Sequence, residues 1–89
     1  MKDFKLIYSK QFFKHYKKLS ASEQNQTNKK LLIFEQDQFH PSLRTKKIKG
    51  QTGLWESSVN MDIRIIWYYD GTSVIALIDI GHHDILNKF

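Results

Sequence analysis

The apolar positions change spacing along the chain, and each change marks an element. Phe4-Lys5-Leu6-Ile7-Tyr8 reads as a short first strand. From Ser9 the spacing turns helical. At about 100° per residue, Phe12, Phe13, Tyr16 and Leu19 share one side and Lys10, Lys14, Lys17 and Lys18 the other. This predicts a helix over Lys10–Leu19 with Ser9 as its N-cap, and His15, between the two faces, as a surface residue. Ser20-Ala21-Ser22-Glu23 is a capping box that opens a second helix to about Gln38. The first half of that helix has no apolar stripe, so Leu31-Leu32-Ile33-Phe34 must carry its packing. The link between the helices is short enough to predict an antiparallel αα-hairpin. His40-Pro41 ends the helical part, because the residue before proline is driven out of the α region.

Strand signals fill the second half. Leu54–Val59, Ile63–Tyr69 and Ser73–Ile80 are separated by Asn60-Met61 and by Asp70-Gly71, a dipeptide suited to a tight type I′ turn. With Asp70 and Gly71 as the loop, Tyr69 faces Thr72 and Arg64 faces Leu77. With Val59 facing Asp62, Ser57 faces Arg64 and Trp55 faces Ile66. Alternation then gathers Trp55, Ser57, Arg64, Tyr68, Leu77, Asp79, Gly81 and His83 on one face, with His82 on the other. On an extended chain Arg64 and His83 would lie roughly 13–20 Å apart at about 3.3 Å per residue. They can meet only if the sheet coils or the chain turns back after Gly81, where glycine permits a turn. The tail, His83–Phe89, predicts a last helical turn with Phe89 packing back on the domain. The expected fold is α+β: one domain over 1–89, in β-α-α-β-β-β order. Its curved antiparallel sheet carries the αα-hairpin on one face and leaves the other partly open.

Composition narrows the chemistry. With 89 residues there is room for one small core, and the absence of cysteine excludes disulfides and thiolate metal sites. There is neither a membrane-length apolar run nor a leader pattern, so a cytoplasmic protein is expected. Fourteen Lys and Arg against nine Asp and Glu give +5, which favours nucleic acid or an acidic protein as partner. Much of this charge lies in two clusters, on the first helix and at Arg44, Lys46, Lys47 and Lys49.

The order HPSLRTKKIKG, LWESSV, DIRIIWYYDG and ALIDIGHHDIL resembles the RelE/ParE superfamily of bacterial toxins, and within it RelE-type mRNA interferases including the YafQ-like group. The resemblance covers essentially the whole chain and rests on the order of its motifs, since none is specific alone. It implies a ribosome-dependent, metal-independent endoribonuclease that cleaves mRNA in the A site, and a cognate antitoxin that neutralises it. It implies that Arg64, before the Ile-Ile-Trp of its strand, is catalytic, as is His83 after the glycine near the C-terminus. Lys46 and Lys49 match its basic segment, and Asp62 matches a catalytic aspartate of the YafQ-like group. That group has a histidine where this chain has Ser58, and it lacks the paired histidines.

RNA cleavage without metal needs a base for the 2′-OH, positive charge on the phosphorane and an acid for the 5′-oxygen. The Arg64 fork suits phosphate oxygens, unless it merely pairs with Asp79 across the sheet. His83 suits the acid, since an imidazole titrates near neutrality. No residue is assigned as base. His82-His83-Asp84 does not suit a metal, because adjacent strand histidines diverge. Arg44, Lys47 and Lys49 would hold mRNA or rRNA phosphates, with Trp55 or Tyr68 stacking a base and His82 nearby. No cofactor is expected. The partners expected are the antitoxin and the ribosome. A ParE-like inhibitor of DNA gyrase and a nontoxic antitoxin-binding remnant are the alternatives.

Overall fold

A computed structural model describes residues 3–89. Its elements are β1 (Lys5–Tyr8), α1 (Lys10–Tyr16), α2 (Ala21–Gln36), a 3₁₀ turn at Pro41–Leu43, β2 (Lys46–Lys47), β3 (Trp55–Ser58), β4 (Ile63–Tyr69), β5 (Val74–His82) and a closing 3₁₀ segment, His83–Lys88. The caps form as their sequence dictates. Ser9 Oγ accepts the Phe12 N–H at 2.9 Å and donates to the Ile78 carbonyl at 2.7 Å, so one hydroxyl starts α1 and ties it to β5. At the start of α2, the Ser20 N–H bonds Glu23 Oε1 at 2.8 Å and the Glu23 N–H bonds Ser20 Oγ at 3.1 Å. α1 stops at Tyr16, short of the expected Leu19. Its end tightens into i→i−3 bonds, Lys18 to His15 and Leu19 to Tyr16, freeing Ser20 to cap the next helix.

The sheet runs β1-β5-β4-β3-β2. β2, β3, β4 and β5 pair antiparallel, but β1 lies parallel to β5, so the sheet is mixed. The basic segment also supplies an extra short edge strand, β2, that the sequence pattern did not announce. On the helix side Phe12, Phe34, Ile63, Ile65, Trp67, Ile75, Leu77 and Ile80 form the main core, with Phe34 edge-on to Trp67 at 4.9 Å. On the other face Ile48, Ile66 and Ile85 make a second cluster with Leu54, Ile78, Leu86 and Phe89. The closing 3₁₀ segment thus folds back over part of the face expected to be open. Gly81 permits this, since a Cβ there would lie 3.2 Å from Ile85 Cδ1.

Both expected registers are overturned. In the β3–β4 turn, Asn60 Oδ1 accepts the N–H groups of Asp62 and Ile63 at 2.8 and 2.7 Å, and the Val59 N–H bonds the Ile63 carbonyl at 2.9 Å. The loop is therefore Asn60-Met61-Asp62, one residue longer than expected. Ser58, not Ser57, faces Arg64, and Trp55 faces Trp67 rather than Ile66. A slip of one reverses the strand's faces. Trp55 and Ser57 leave Arg64's face for the core side, where Trp55 stacks on Trp67 at 5.8 Å and Trp67 Nε1–H donates to Ser57 Oγ at 2.9 Å.

The β4–β5 connection is likewise longer than a two-residue turn. Gly71 has the expected positive φ of 82°, but Asp70 N–H bonds the Val74 carbonyl and Tyr69 faces Ile75. A bulge then carries the pairing from Trp67–Leu77 to Ile66–Asp79, leaving Arg64 opposite Gly81. Leu77, expected beside Arg64, is consequently buried with Trp67 on the helix side.

Candidate active site

Arg64 sits one residue into β4. Its Nη1–H donates to the carbonyls of Asn60 at 2.8 Å and Ile63 at 3.3 Å, so the turn that sets the register also holds the guanidinium. Its Nε lies 3.6 Å from Glu56 Oε1, with the two side chains 15% and 7% exposed. Glu56, not Asp79, is the acid Arg64 meets. The expected two-residue turn would have paired Glu56 with Ile65 on the helix side; the three-residue loop pairs it with Ile66 instead. The available signal was a lone acid in an otherwise uncharged strand, LWESSV. Lys46 is directly opposite Glu56 across β2 and β3, and Ser58 opposite Arg64. Lys46, Glu56, Ser58 and Arg64 therefore share a face, next to Ile66 where the C-terminal roof begins.

His83 starts the 3₁₀ segment two residues beyond Gly81 and is exposed. Because Gly81 faces Arg64, the separation is far smaller than the extended estimate. The backbone N–H of His83 points to Asp62 Oδ1 at 3.4 Å. Asp62 Oδ2 makes a tight hydrogen bond with His82 Nδ1, and His82 Nε2 lies 3.7 Å from Glu23 Oε2 of α2. His82 thus faces the helices, as alternation requires. Its hydrogen bond to Asp62 holds its pKa above 6.5, and the carboxylates of Asp62, Glu23 and Asp84 add to this. The same hydrogen bond lowers Asp62 below 3.8, helped by the His83 N–H and by the charges of His82 and Arg64. Asp62 is committed to the two histidines.

Two further expectations are corrected. Asp79 is buried and its Oδ1 lies 2.6 Å from His15 Nδ1, so it joins β5 to α1 rather than to Arg64's face. His15 is accordingly a packing partner, not a free surface residue. Trp55 lies half-buried, edge-on to Phe39 at 5.3 Å, with Lys47 Nζ 5.6 Å from the centre of its ring. Lys49 is exposed beside the loop that follows β2, and Arg44 is exposed just before β2.

Neither a family model nor a curated protein matches this sequence. Solved structures do match. A YoeB/ParE toxin from Agrobacterium tumefaciens superposes with a TM-score of 0.76 at 16% identity, over 90% of this chain and 99% of that one. The archaeal RelE–RelB complex from Pyrococcus horikoshii OT3 gives 0.75 at 17%, over 90% and 94%. The E. coli DinJ–YafQ toxin–antitoxin complex gives 0.73 at 16%, over 94% and 97%. The chain has the α+β fold of the RelE, YoeB and YafQ toxins. No helix among the described residues is long and apolar enough to cross a membrane.

Proposed function

We propose that this chain is the toxin of a type II toxin–antitoxin pair and a metal-independent endoribonuclease acting on mRNA in the ribosome. The observation that carries the reading is the buried Glu56 carboxylate 3.6 Å from the Arg64 guanidinium, on the face that Lys46 shares. Glu56 takes the proton from the 2′-OH, whose oxygen attacks the adjacent phosphorus. Arg64 and Lys46 offset the charge on the phosphorane. His83 gives a proton to the departing 5′-oxygen, leaving a 2′,3′-cyclic phosphate and a 5′-hydroxyl. Asp62 acts through its neighbours, holding His82 and the backbone of His83. Lys47 and Lys49 contact RNA outside the reacting linkage. Two of the similar structures are the RelE–RelB complex and the DinJ–YafQ toxin–antitoxin complex, and the +5 charge suits an acidic antitoxin here.

Primer extension on ribosome-bound mRNA after induction tests the reading. Cleavage is expected with the native chain and a fall of roughly 10²–10⁴-fold in each of Glu56→Gln, Arg64→Ala and His83→Ala. Intact mRNA together with trapped DNA breaks would assign the fold to gyrase inhibition instead. Unaffected growth on expression without antitoxin would mark a nontoxic remnant.

A further inference from the structure

We infer that the cleft beside Arg64 is a second phosphate subsite, formed by Arg44 and Lys30, that binds an RNA phosphate neighbouring the cleaved linkage. The inference rests on the ribonuclease reading for its substrate class. The cleft has a volume of about 210 Å³, below the size of an ordinary organic-ligand pocket and suited to a phosphate with part of its sugar. Lys30, Arg44 and Arg64 line it with Ser42, Ser58 and Asn60, and no carboxylate lines it. Three cations around one concavity focus a positive potential that favours an anion.

The placement of Arg44 is built in. With φ 47° and ψ 44° it is the one non-glycine residue among those described with positive φ. Its neighbours impose this conformation. Leu43 is buried, the Arg44 N–H closes the 3₁₀ turn onto the Pro41 carbonyl at 3.3 Å, and the His40 ring accepts the Ser42 N–H at 3.2 Å. Strain held in this way accumulates where a side chain must be aimed. Ser58, which lines the cleft with Arg44, faces Arg64 across β3 and β4. The two arginines and that serine therefore line one concavity. From the far rim, Lys30 Nζ donates to the Ser42 carbonyl at 3.3 Å, which brings an α2 cation to the same concavity. Arg64 is shared: its Nε side meets Glu56 while the residue also lines the cleft, so a phosphate there lies next to the reacting one.

The probe is a 2′-O-methyl dinucleotide, which lacks the attacking hydroxyl, prepared bare, with a 5′-phosphate and with a 3′-phosphate, and titrated calorimetrically at low salt. One terminal phosphate is expected to tighten binding at least tenfold. In Arg44→Gly and in Lys30→Gln most of that gain disappears, the phosphorylated probe weakening at least fivefold more than the bare one. Arg44→Gly suits the left-handed backbone, so its folding is preserved, and circular dichroism checks this. The inference is overturned if no terminal phosphate tightens binding to the native chain, if the gain survives in both variants, or if all probes weaken equally. Failure of the ribonuclease reading is a separate result: mRNA left intact by a native chain whose phosphate gain still depends on Arg44 and Lys30.

Discussion

Replacing Ser57 with alanine tests the register that places Glu56 on Arg64's face. Ser57 is fully buried within a directional chain of hydrogen bonds. Thr45 Oγ1 donates its single hydrogen to the Gln38 carbonyl at 2.5 Å, so at its 2.6 Å contact with Ser57 it must accept. Ser57 therefore donates to Thr45 and accepts from Trp67 Nε1–H at 2.9 Å. Alanine removes two of these bonds and orphans the indole N–H of Trp67, which is itself fully buried. An unsatisfied buried donor costs about 1–3 kcal/mol, so a loss near 2 kcal/mol is expected. In a domain of this size that lowers the melting temperature by roughly 8–16 °C. Thermal denaturation followed by tryptophan fluorescence measures it. Combining the change with Trp67→Phe, which removes the orphaned donor, should recover about 1 kcal/mol relative to additivity. A melting temperature within about 3 °C of the native chain, or strict additivity in the double variant, would refute the arrangement.

Three other outcomes follow from the structure. Asp62→Asn should bring His82 back toward 6.5, because the Asp62 hydrogen bond is the largest cause of its rise; an imidazole NMR titration reads this directly. In stability, the raised His82 contributes fully below pH 6.5 and is lost as pH climbs through its folded value. The lowered Asp62 contributes fully above pH 3.8 and is lost as pH falls through its own. The melting difference between native chain and Asp62→Asn should thus be flat between those limits and vanish beyond them; a difference that keeps growing above pH 8 contradicts the pairing. Gly71→Ala, at φ 82°, should cost about 1 kcal/mol and some 4–8 °C, read by the same melts. Gly81→Ala should press on Ile85 Cδ1 and loosen the C-terminal segment, seen as faster amide exchange over 83–88 with β4 unchanged.

What the sequence determined by itself lies within a few residues of its cause. The Ser9 cap, the Ser20–Glu23 box and the left-handed Gly71 each follow from short-range geometry. The resemblance added the fold and pointed to Arg64 and His83. Tertiary structure decided the registers, and with them the site. Whether a loop holds two residues or three is nearly neutral locally. It is settled by Asn60 closing on Asp62 and Ile63, and by the burial of Ser57 against Trp67. That single step put Glu56 on Arg64's face and Trp55 on the helix side. The longer β4–β5 loop and the β5 bulge together set Gly81, not Leu77, across from Arg64, and the distant pairing of Asp79 with His15 removed a carboxylate that alternation had assigned to the site. A strand's faces alternate at every residue, so an error too small to register in local energy inverts every side chain that follows.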